Sequence, residues 1–250
     1  MNKQKIAQRF AQANSTYKQN AIVQTQSAEH LVNMFRHYCE LPQLNQVLEI
    51  GCGAGTLTDF FSQHYHVNQW YLNDLYVPNQ TQFAYLENKN WLIGDIESVN
   101  LPQNLDVVIS SSALQWIDDL SQLFLRIEHA LIEKGYFCFS SFSSQNLSEI
   151  KQLTQQGLTY FDLKEIVYVL EKQGFEVLYQ HEEILKIYFD HPKQILLHLK
   201  QTGVTATNNS FIWTRKKLEQ FYGNYSYFQN GSGQYSLTYH PIYLIARKKS

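Results

Sequence analysis

The fold is decided by the stretch Val47-Leu48-Glu49-Ile50-Gly51-Cys52-Gly53-Ala54-Gly55-Thr56-Leu57-Thr58. Its first half is a short apolar run broken by one carboxylate, and its second half has a glycine at every other position before helix-compatible residues resume. This pattern predicts a buried strand, a tight turn and the start of a helix. Glycine suits such a turn because a Cβ would resist the required backbone angles and would keep a ligand away from the backbone. The turn is therefore predicted to hold a ligand.

Two carboxylates indicate which ligand fits the turn. A dinucleotide fingerprint reads G-x-G-x-x-G, whereas the spacing here is G-x-G-x-G with Glu49 two residues before the first glycine. A carboxylate at that position repels a pyrophosphate and attracts an ammonium group. Asp74 follows Gly55 by nineteen residues, where the next strand should end, and can accept both hydroxyls of a ribose. An amino acid and a ribose together describe S-adenosylmethionine, although a glycine turn alone also fits an ordinary strand-to-helix connection.

From Gln46 onward the sequence alternates between strand and helix patterns. Strands are predicted at 46–50, 68–73, 91–93, 105–110, 136–142, 175–188 and 234–247, and helices at 56–64, 79–87, 120–131, 163–170, 193–201 and 215–222. Two further helices are predicted within residues 3–39, with Ile22 on the apolar face of the second. This alternation indicates an α/β fold with a doubly wound, mostly parallel sheet. Ligands of such sheets bind beyond the carboxyl ends of the strands.

Polar and aromatic residues follow the predicted strands at the edge where a ligand would bind. Asp95 and Ile96 follow the third strand and could hydrogen-bond an adenine edge, although an isolated Gly-Asp pair is also a common turn. The fourth strand runs into the small polar residues 110–112 and then Trp116, which could wall the site or simply pack. Tyr17, in a polar stretch between the two N-terminal helices, could fold over the cofactor or be an ordinary packing tyrosine.

The regular alternation lapses after Phe142. Residues 144–161 and 189–232 are polar and partly helical, and they are predicted to form a lid over the strand ends. This region contributes the basic residues Lys200, Arg215, Lys216 and Lys217. The alternative for the run of three is a solvated helix end.

The composition excludes several classes of protein. The chain of 250 residues has 20 basic and 22 acidic residues, so its charge indicates neither a nucleic-acid nor a membrane partner. The first residues do not resemble a signal peptide and no apolar run approaches a membrane span, which predicts a soluble, cytoplasmic protein. Cys39, Cys52 and Cys138 lack C-x-x-C spacing, so neither a disulfide framework nor a zinc site is expected. The expected state is a monomer.

The pattern V-L-E-I-G-C-G-A-G-T, with Asp74, Gly94-Asp95-Ile96 and the loop at 110–116, resembles the class I S-adenosylmethionine-dependent methyltransferases over about residues 46–143. Within that superfamily the sequence is most similar to the malonyl-[acyl-carrier protein] O-methyltransferase family, which opens the pimeloyl part of biotin synthesis. The similarity is carried by Asn2-Lys3-Gln4 through Phe10, Tyr17 and Gln24, and by the stretches 94–98, 198–206, 235–241 and 245–248. Because several of these lie outside the part shared by all such methyltransferases, the similarity is more than a likeness of fold.

The resemblance implies a seven-stranded Rossmann-like sheet with an antiparallel last strand. It divides the chain into N-terminal helices over the cofactor site (1–40), a cofactor-binding core (41–143), a lid and substrate region (144–232, with one core strand at about 175–188) and the last core strand (233–250). The implied cofactor is S-adenosylmethionine, which becomes S-adenosylhomocysteine. The implied partner is acyl-carrier protein bearing malonyl-phosphopantetheine, with malonyl-coenzyme A as another form of the substrate.

The resemblance also implies roles for individual residues. Those expected to bind the cofactor are Glu49, Gly51, Cys52, Gly53, Gly55, Asn73, Asp74, Leu75, Gly94, Asp95, Ile96, Ser110, Ser111 and Trp116. Those expected to contact the substrate are Trp116, Lys200, Arg215, Lys216, Tyr239 and His240. Tyr17 is expected to place its hydroxyl near the transferred methyl group, and no metal is expected. Family members can carry an arginine at 155–161 for the substrate carboxylate, but this sequence has no basic residue there, so another group must bind it.

The implied reaction transfers a methyl group from a sulfonium to the free carboxylate of a malonyl thioester. That carboxylate is already ionised near pH 7, so no general base is required. The nearest alternative is a methyltransferase of the trans-aconitate type, whose small free acid would need a compact cationic pocket. An alternative of another class is a methyltransferase-like binding module that holds the cofactor without turnover.

Overall fold

The computed structural model describes residues 2–41, 43–204 and 213–250. Within these ranges the helices are α1 (Lys3–Asn20), α2 (Ile22–Tyr38), α3 (Thr56–Ser62), α4 (Leu120–Ala130), α5 (Ser148–Thr154), α6 (Leu163–Lys172), α7 (Pro192–Gln201) and α8 (Arg215–Asn224). The strands are β1 (Leu44–Ile50), β2 (Val67–Asp74), β3 (Lys89–Ile93), β4 (Leu105–Ser111), β5 (Leu131–Phe142), β6 (Phe175–Glu182), β7 (Leu185–Phe189), β8 (Tyr235–Tyr239) and β9 (Pro241–Lys248). None of the described helices is long and apolar enough to cross a membrane.

Seven strands form one sheet in the order β3-β2-β1-β4-β5-β9-β6. Strands β1 to β5 pair in parallel, and β9 runs antiparallel to both of its neighbours, β5 and β6. This topology confirms the predicted α/β sheet with its antiparallel last strand. The strand order reverses between β1 and β4, which is where a doubly wound sheet leaves a crevice for a ligand.

The central strands are buried on both faces. Neighbouring residues of β1 point in opposite directions, so Val47 packs with the helices of one face and Leu48 with those of the other. The pairing register places Ile50 beside Asn73 of β2 and beside Ser110 of β4. The three strands therefore end together, and the loops that follow them meet at one edge of the sheet.

Helices fix this edge from both sides. On one face Phe35 of α2 and Phe61 of α3 have ring centroids 5.0 Å apart. On the other face Phe124 of α4 lies 5.3 Å from Phe137 of β5, measured between ring centroids. Burial of each such ring contributes about 1.5–3 kcal/mol to folding. The strand ends thus sit on a scaffold that is packed on both sides.

Three local expectations from the first half of the chain are wrong. The predicted helix at 79–87 is a single 3₁₀ turn, Gln80–Phe83, because only Phe83 and Leu86 supply large buried side chains there. Ile22 is 55% exposed because it is the first residue of α2, before the helix reaches the core. Tyr17 belongs to the last turn of α1 rather than to a linker.

The two long strands predicted in the C-terminal half each divide in two. The stretch at 175–188 forms β6 in the main sheet and β7 outside it, and the stretch at 234–247 forms β8 and β9. Strands β7 and β8 pair with each other in a separate antiparallel sheet. The chain changes sheets at His240, whose backbone N–H donates to the side chain of Asn146, before Pro241, which has no N–H to donate.

The predicted lid region has a core of its own. Ile195 of α7, Phe221 of α8 and Leu237 of β8 pack in one cluster, apart from the two clusters that flank the main sheet. Strand β5 also begins at Leu131, directly after α4, where the sequence indicated a helix up to that residue. Residues 205–212 of the predicted lid, including two positions of the stretch at 198–206, lie outside the described residues.

Candidate active site

A cleft opens beyond the ends of β1, β2 and β4. Its empty volume, including the open mouth, is about 990 Å³. The glycine turn after β1 forms one wall, and Phe10, Tyr17 and Gln24 of the two N-terminal helices form the opposite wall. The cleft therefore lies where the sheet edge faces α1 and α2.

The glycine turn has backbone angles that other residues rarely adopt. The φ angles are +72° at Gly51, +49° at Gly53 and +78° at Gly55. A Cβ on Gly51 would lie only 2.4 Å from the Cβ of Ala113, whereas one on Gly53 would meet no side chain within 4 Å. The backbone N–H groups of Gly51 and Cys52 both donate to the carbonyl of Asn73, at 2.9 Å. The turn is thus held against β2, with the open face of Gly53 available to a ligand.

Glu49 is a buried carboxylate in the wall of the cleft. It is 1% exposed and accepts a hydrogen bond from the Thr58 hydroxyl at 2.5 Å. Burial raises the pKa of Glu49 to about 8, and the hydrogen bond from Thr58 partly opposes this rise. A cation bound beside a buried carboxyl group of this kind would stabilise it, because an opposite charge nearby favours the ionised form. Glu49 therefore fits the ammonium group of an amino-acid ligand.

Asp74 lies at the end of β2, across the glycine turn from Glu49. Its Oδ2 accepts the N–H of Gly53 at 2.8 Å and its Oδ1 accepts the N–H of Tyr76 at 3.4 Å. Burial raises its pKa to about 6, and these backbone hydrogen bonds oppose the rise. Each carboxylate oxygen has a further lone pair, so Asp74 can still accept hydrogen bonds from the hydroxyl groups of a ribose.

The third part of the cleft is closed by the first turn of α1. The ammonium group of Lys3 lies 2.5 Å from Glu97 Oε2, 3.6 Å from Asp95 Oδ1 and 2.9 Å from the carbonyl oxygen of Trp116. The ring of Trp116 packs edge-on against Phe10, with centroids 5.6 Å apart. Lys3 thus fastens α1 to the two loops that would flank an adenine ring.

Tyr17 lies over the cleft near the Asp74 side. Its side chain is half-buried and lines the cavity. Burial, and secondarily the charge of Asp74, raise its pKa above the ordinary value. The hydroxyl is therefore protonated at neutral pH and can donate a hydrogen bond. Cys52, which also lines the cavity, has a pKa raised well above normal by burial, so its thiol is not a nucleophile.

Most of the residues predicted to bind the cofactor line this one cleft. They are Glu49, Gly51, Cys52, Gly53, Asn73, Asp74, Leu75, Asp95, Ile96, Ser111 and Trp116. Three others do not line it. Ser110 is fully buried and donates its hydroxyl to the carbonyl of Ile50 at 2.9 Å. Gly55 precedes α3 and abuts Phe83, and Gly94 donates its N–H to the carbonyl of Asp74. These three support the walls rather than form them.

Apart from Trp116, the residues predicted to contact the substrate lie away from the cleft. Lys200, Arg215 and Lys216 are exposed on α7 and α8, and Arg215 pairs with Glu219 at 3.0 Å. Tyr239 and His240 are buried under the lid region. The Tyr239 hydroxyl lies 2.8 Å from Nε2 of His198, and Nε2 of His240 lies 3.1 Å from Glu182 Oε2.

Two protein-family models match parts of this chain. A family model described as "Methyltransferase domain" matches residues 48–139, and a second, for protein-L-isoaspartate(D-aspartate) O-methyltransferase, matches residues 3–70. The malonyl-[acyl-carrier protein] O-methyltransferase of Acinetobacter baylyi is 45% identical over 100% of this chain and 98% of its own length. The chain belongs to the malonyl-[acyl-carrier protein] O-methyltransferase family. A relative of the same name from Bacteroides thetaiotaomicron is 36% identical over 100% of this chain and 99% of its own length.

Solved structures of proteins with low sequence identity share the fold of this chain. The YcgJ protein of Bacillus subtilis has a TM-score of 0.65 at 17% identity, covering 88% of this chain and 99% of its own. Phosphoethanolamine N-methyltransferase 2 of Haemonchus contortus, solved with S-adenosylhomocysteine, has a TM-score of 0.55 at 18% identity, covering 88% of this chain and 52% of its own. Both likenesses concern the fold alone.

The polar residues that line the cleft but were not predicted as site residues include Lys3, Gln24, Thr56, Tyr76 and Ser112. Gln24 of α2 is 6% exposed and lines the cavity, and Ser112 of the loop after β4 lines it as well. A signal for Gln24 existed in the sequence, because a glutamine on the buried face of an amphipathic helix needs a polar partner. No local pattern marks Ser112 apart from the two serines before it.

Proposed function

We propose that this chain transfers the methyl group of S-adenosylmethionine to the free carboxylate of a malonyl group carried by acyl-carrier protein. The observation that carries the proposal is the pair of buried carboxylates, Glu49 and Asp74, on either side of an open glycine turn in a chain of this family. Malonyl-coenzyme A, which has the same acyl group and arm, is the alternative form of the substrate.

The residues of the cleft fit the cofactor. Glu49 would bind the ammonium group of the cofactor's amino-acid part. The backbone at Gly53, which no side chain covers, would let the cofactor approach closely. Asp74 would accept hydrogen bonds from the ribose hydroxyls. The loops joined by Lys3 would flank the adenine. When bound, S-adenosylmethionine supplies an electrophilic methyl group on a positively charged sulfur.

The chemistry assigned to the protein is positioning rather than proton transfer. A carboxylate with an ordinary pKa of about 4 is ionised at neutral pH and can attack directly. Tyr17 donates a hydrogen bond above the cleft, while α1 and α2 exclude water from the nucleophile. Orientation and removal of water can together lower a barrier by about 7–11 kcal/mol. This accounts for a site built without a general base.

Recognition of the carrier protein belongs to the exposed basic residues of α7 and α8. Lys200, Arg215, Lys216 and Lys217 stand on the lid region, and a carrier protein of acidic surface would be attracted to them. We place the enzyme in the cytoplasm and at the start of pimeloyl synthesis for biotin, and both assignments stay predictions. The monomeric state is likewise a proposal.

The test is methyl transfer from labelled S-adenosylmethionine to three acceptors in parallel. Malonyl-acyl-carrier protein and malonyl-coenzyme A should accept the label, the former with the higher kcat/KM, and trans-aconitate should not. Label on trans-aconitate alone would contradict the carrier-bound substrate while leaving cofactor binding in place. Tight binding of S-adenosylhomocysteine without transfer to any of the three would favour a binding module.

A further inference from the structure

Unpartnered polar atoms are concentrated in the cleft. Among the described residues, five buried side-chain polar atoms have no hydrogen-bond partner. Three of them, Oε1 of Gln24, Oγ of Ser112 and Nε1 of Trp116, belong to residues that line this cavity. A buried polar atom left unpaired costs about 1–3 kcal/mol, so three in one cleft point to a polar ligand that completes them.

The charges of the cleft restrict how a carboxylate could bind there. Glu49, Asp74 and Asp95 would repel it. Lys3 is the only cation among the described residues that line the cavity, and it is held by Glu97, Asp95 and the Trp116 carbonyl. The acid substrate of the proposed reaction therefore finds no available cation of the protein, and its hydrogen bonds must come from neutral donors.

One of the three residues belongs to the end of the cleft that is closed by Lys3. The Trp116 carbonyl contacts Lys3, so Trp116 lies where an adenine would bind. Gln24 lies on α2, and Ser112 lies in the loop after β4, next to Ala113, which abuts Gly51. Gln24 and Ser112 are the two unpartnered polar groups of the cleft that remain for another ligand group.

Gln24 has a polar neighbour behind it. Its side chain lies close enough to the Tyr239 hydroxyl to influence the pKa of that group, and the hydroxyl lies 2.8 Å from Nε2 of His198. Burial lowers the pKa of His198 to about 4, so its ring is neutral and can donate from Nε2. Rotation of the amide about its last torsion would give its oxygen to Tyr239 and its NH₂ to the cleft. The Tyr239–His198 pair can follow this exchange, because the Tyr239 hydroxyl both donates and accepts and Nε2 of a neutral histidine can do either, depending on the tautomer.

Ser112 is held in an unfavourable conformation. Its φ angle is +57°, a region that suits glycine far better than serine. Two hydrogen bonds fix it there: its N–H donates to the Ser140 carbonyl at 2.9 Å, and its carbonyl accepts from Gln115 Nε2 at 2.7 Å. Strain of this kind is found where a side chain has a task at a functional site.

We propose that Gln24 and Ser112 bind the free carboxylate of the substrate through neutral hydrogen bonds, without a cationic partner from the protein. The proposal rests on the proposed function. Its chemical reason is that methyl transfer cancels the negative charge of the nucleophile. A strong ion pair with an arginine would be lost in the transition state, whereas neutral donors orient the carboxylate and leave it nucleophilic. The absence of a basic residue at 155–161 is consistent with binding of the carboxylate by neutral donors.

Steady-state kinetics of four variants test the proposal. Gln24→Ala and Ser112→Gly should each raise KM for malonyl-acyl-carrier protein about tenfold, the usual effect of losing a hydrogen bond to a charged group. Gln24→Glu should raise it further, because it places a like charge beside the substrate. Ser112→Gly removes the hydroxyl and also the strain, so loss of folding does not confuse the result. Gln82→Ala is the matched control, since the amide oxygen of Gln82 is also buried without a hydrogen-bond partner but lies outside the cleft.

Binding measurements separate this inference from the proposed function. With S-adenosylhomocysteine bound, wild-type protein should bind malonyl-acyl-carrier protein more tightly than acetyl-acyl-carrier protein, and Gln24→Ala should abolish that preference. The affinity of every variant for S-adenosylhomocysteine should stay within about twofold. Wild-type KM and an intact preference in Gln24→Ala and Ser112→Gly would overturn the inference alone, as would a tenfold loss of cofactor affinity. A wild-type enzyme that methylates no malonyl carrier would instead overturn the proposed function.

Discussion

The two ends of the cleft are built in different ways. The cofactor end uses charged and glycine residues that lie close together in the chain, from Glu49 to Asp74, and backbone hydrogen bonds fix them. The remaining polar lining, which we assign to the acceptor, consists of neutral residues from distant segments, among them Tyr17, Gln24 and Ser112. The difference follows from the ligands, because the cofactor brings its own positive charge while the acceptor brings a charge that the reaction removes.

The largest effect is expected from Asp74→Ala. The variant removes the ribose acceptor and the anchor of the Gly53 N–H, so affinity for S-adenosylhomocysteine should fall by about 100-fold or more. Isothermal titration calorimetry measures this directly. Asp190→Ala, at an exposed aspartate outside the cleft, is the control and should bind normally. Unchanged affinity in Asp74→Ala would remove the ribose assignment.

Gly51→Ala should fold poorly. A Cβ at this position would clash with Ala113 at 2.4 Å and would also require a φ angle of +72°, so a loss of roughly 3 kcal/mol or more in unfolding free energy is expected. Urea denaturation measures the loss. Ala113→Gly in the same chain should restore part of it, whereas Gly231→Ala, with open space around it, should cost little. Equal stability of the two alanine variants would show that the turn tolerates a side chain.

Glu49→Gln should lose cofactor binding yet gain stability at alkaline pH. The folded-state pKa of Glu49, about 8, lies above the ordinary 4.5, so its stabilising contribution is complete below pH 4.5 and is lost as the pH rises to about 8. Glutamine keeps the Thr58 hydrogen bond and does not ionise. Without cofactor, the variant should exceed the wild type at pH 8 by at most about 5 kcal/mol, and the two should converge near pH 4. Parallel stability curves would contradict a buried, proton-binding Glu49.

Lys3→Ala should loosen the cover over the cofactor. It removes contacts with Glu97 and the Trp116 carbonyl that are only partly exposed, so S-adenosylhomocysteine should dissociate several-fold faster, with a change of about 1–2 kcal/mol. Stopped-flow displacement measures the rate. Lys5→Ala, on the same helix, is the matched control. Dissociation at the wild-type rate in both would mean that α1 does not retain the cofactor.

The smallest effect concerns the carrier protein. The double variant Arg215→Glu and Lys216→Glu should raise KM for malonyl-acyl-carrier protein about three- to tenfold at low salt and less at high salt, because both side chains are exposed. KM for malonyl-coenzyme A and affinity for S-adenosylhomocysteine should not move. An unchanged KM for the carrier substrate would remove these residues from the docking surface.

Most of the residues predicted to bind the cofactor line one cleft, and the sequence signals that marked them are local. The apolar run, the alternate glycines and the carboxylates at 49 and 74 each predict a feature within a few residues, and parallel pairing of neighbouring strands brings them together. Gly55, Gly94 and Ser110 do not line the cleft, and the clearest of these exceptions is the buried Ser110. Its hydroxyl satisfies the Ile50 carbonyl, a contact across two strands that strand patterns do not contain.

The lid and the acceptor end were less predictable because their contacts are remote in sequence. The division of the last strand at His240 depends on a hydrogen bond to Asn146, ninety-four residues earlier. Gln24 neighbours Tyr239, which belongs to a small sheet that the strand pattern did not separate from the main one. Substrate residues chosen by similarity, such as Tyr239 and His240, thus stand behind the cleft rather than in it.

Intact-mass spectrometry of the acceptor tests the central claim most directly. Malonyl-acyl-carrier protein incubated with the enzyme and S-adenosylmethionine should gain the mass of one methylene group and lose it again under mild alkali, as a methyl ester does. Acetyl-acyl-carrier protein, which lacks the free carboxylate, should keep its mass. No gain on the malonyl form, or an equal gain on the acetyl form, would contradict transfer to the malonyl carboxylate.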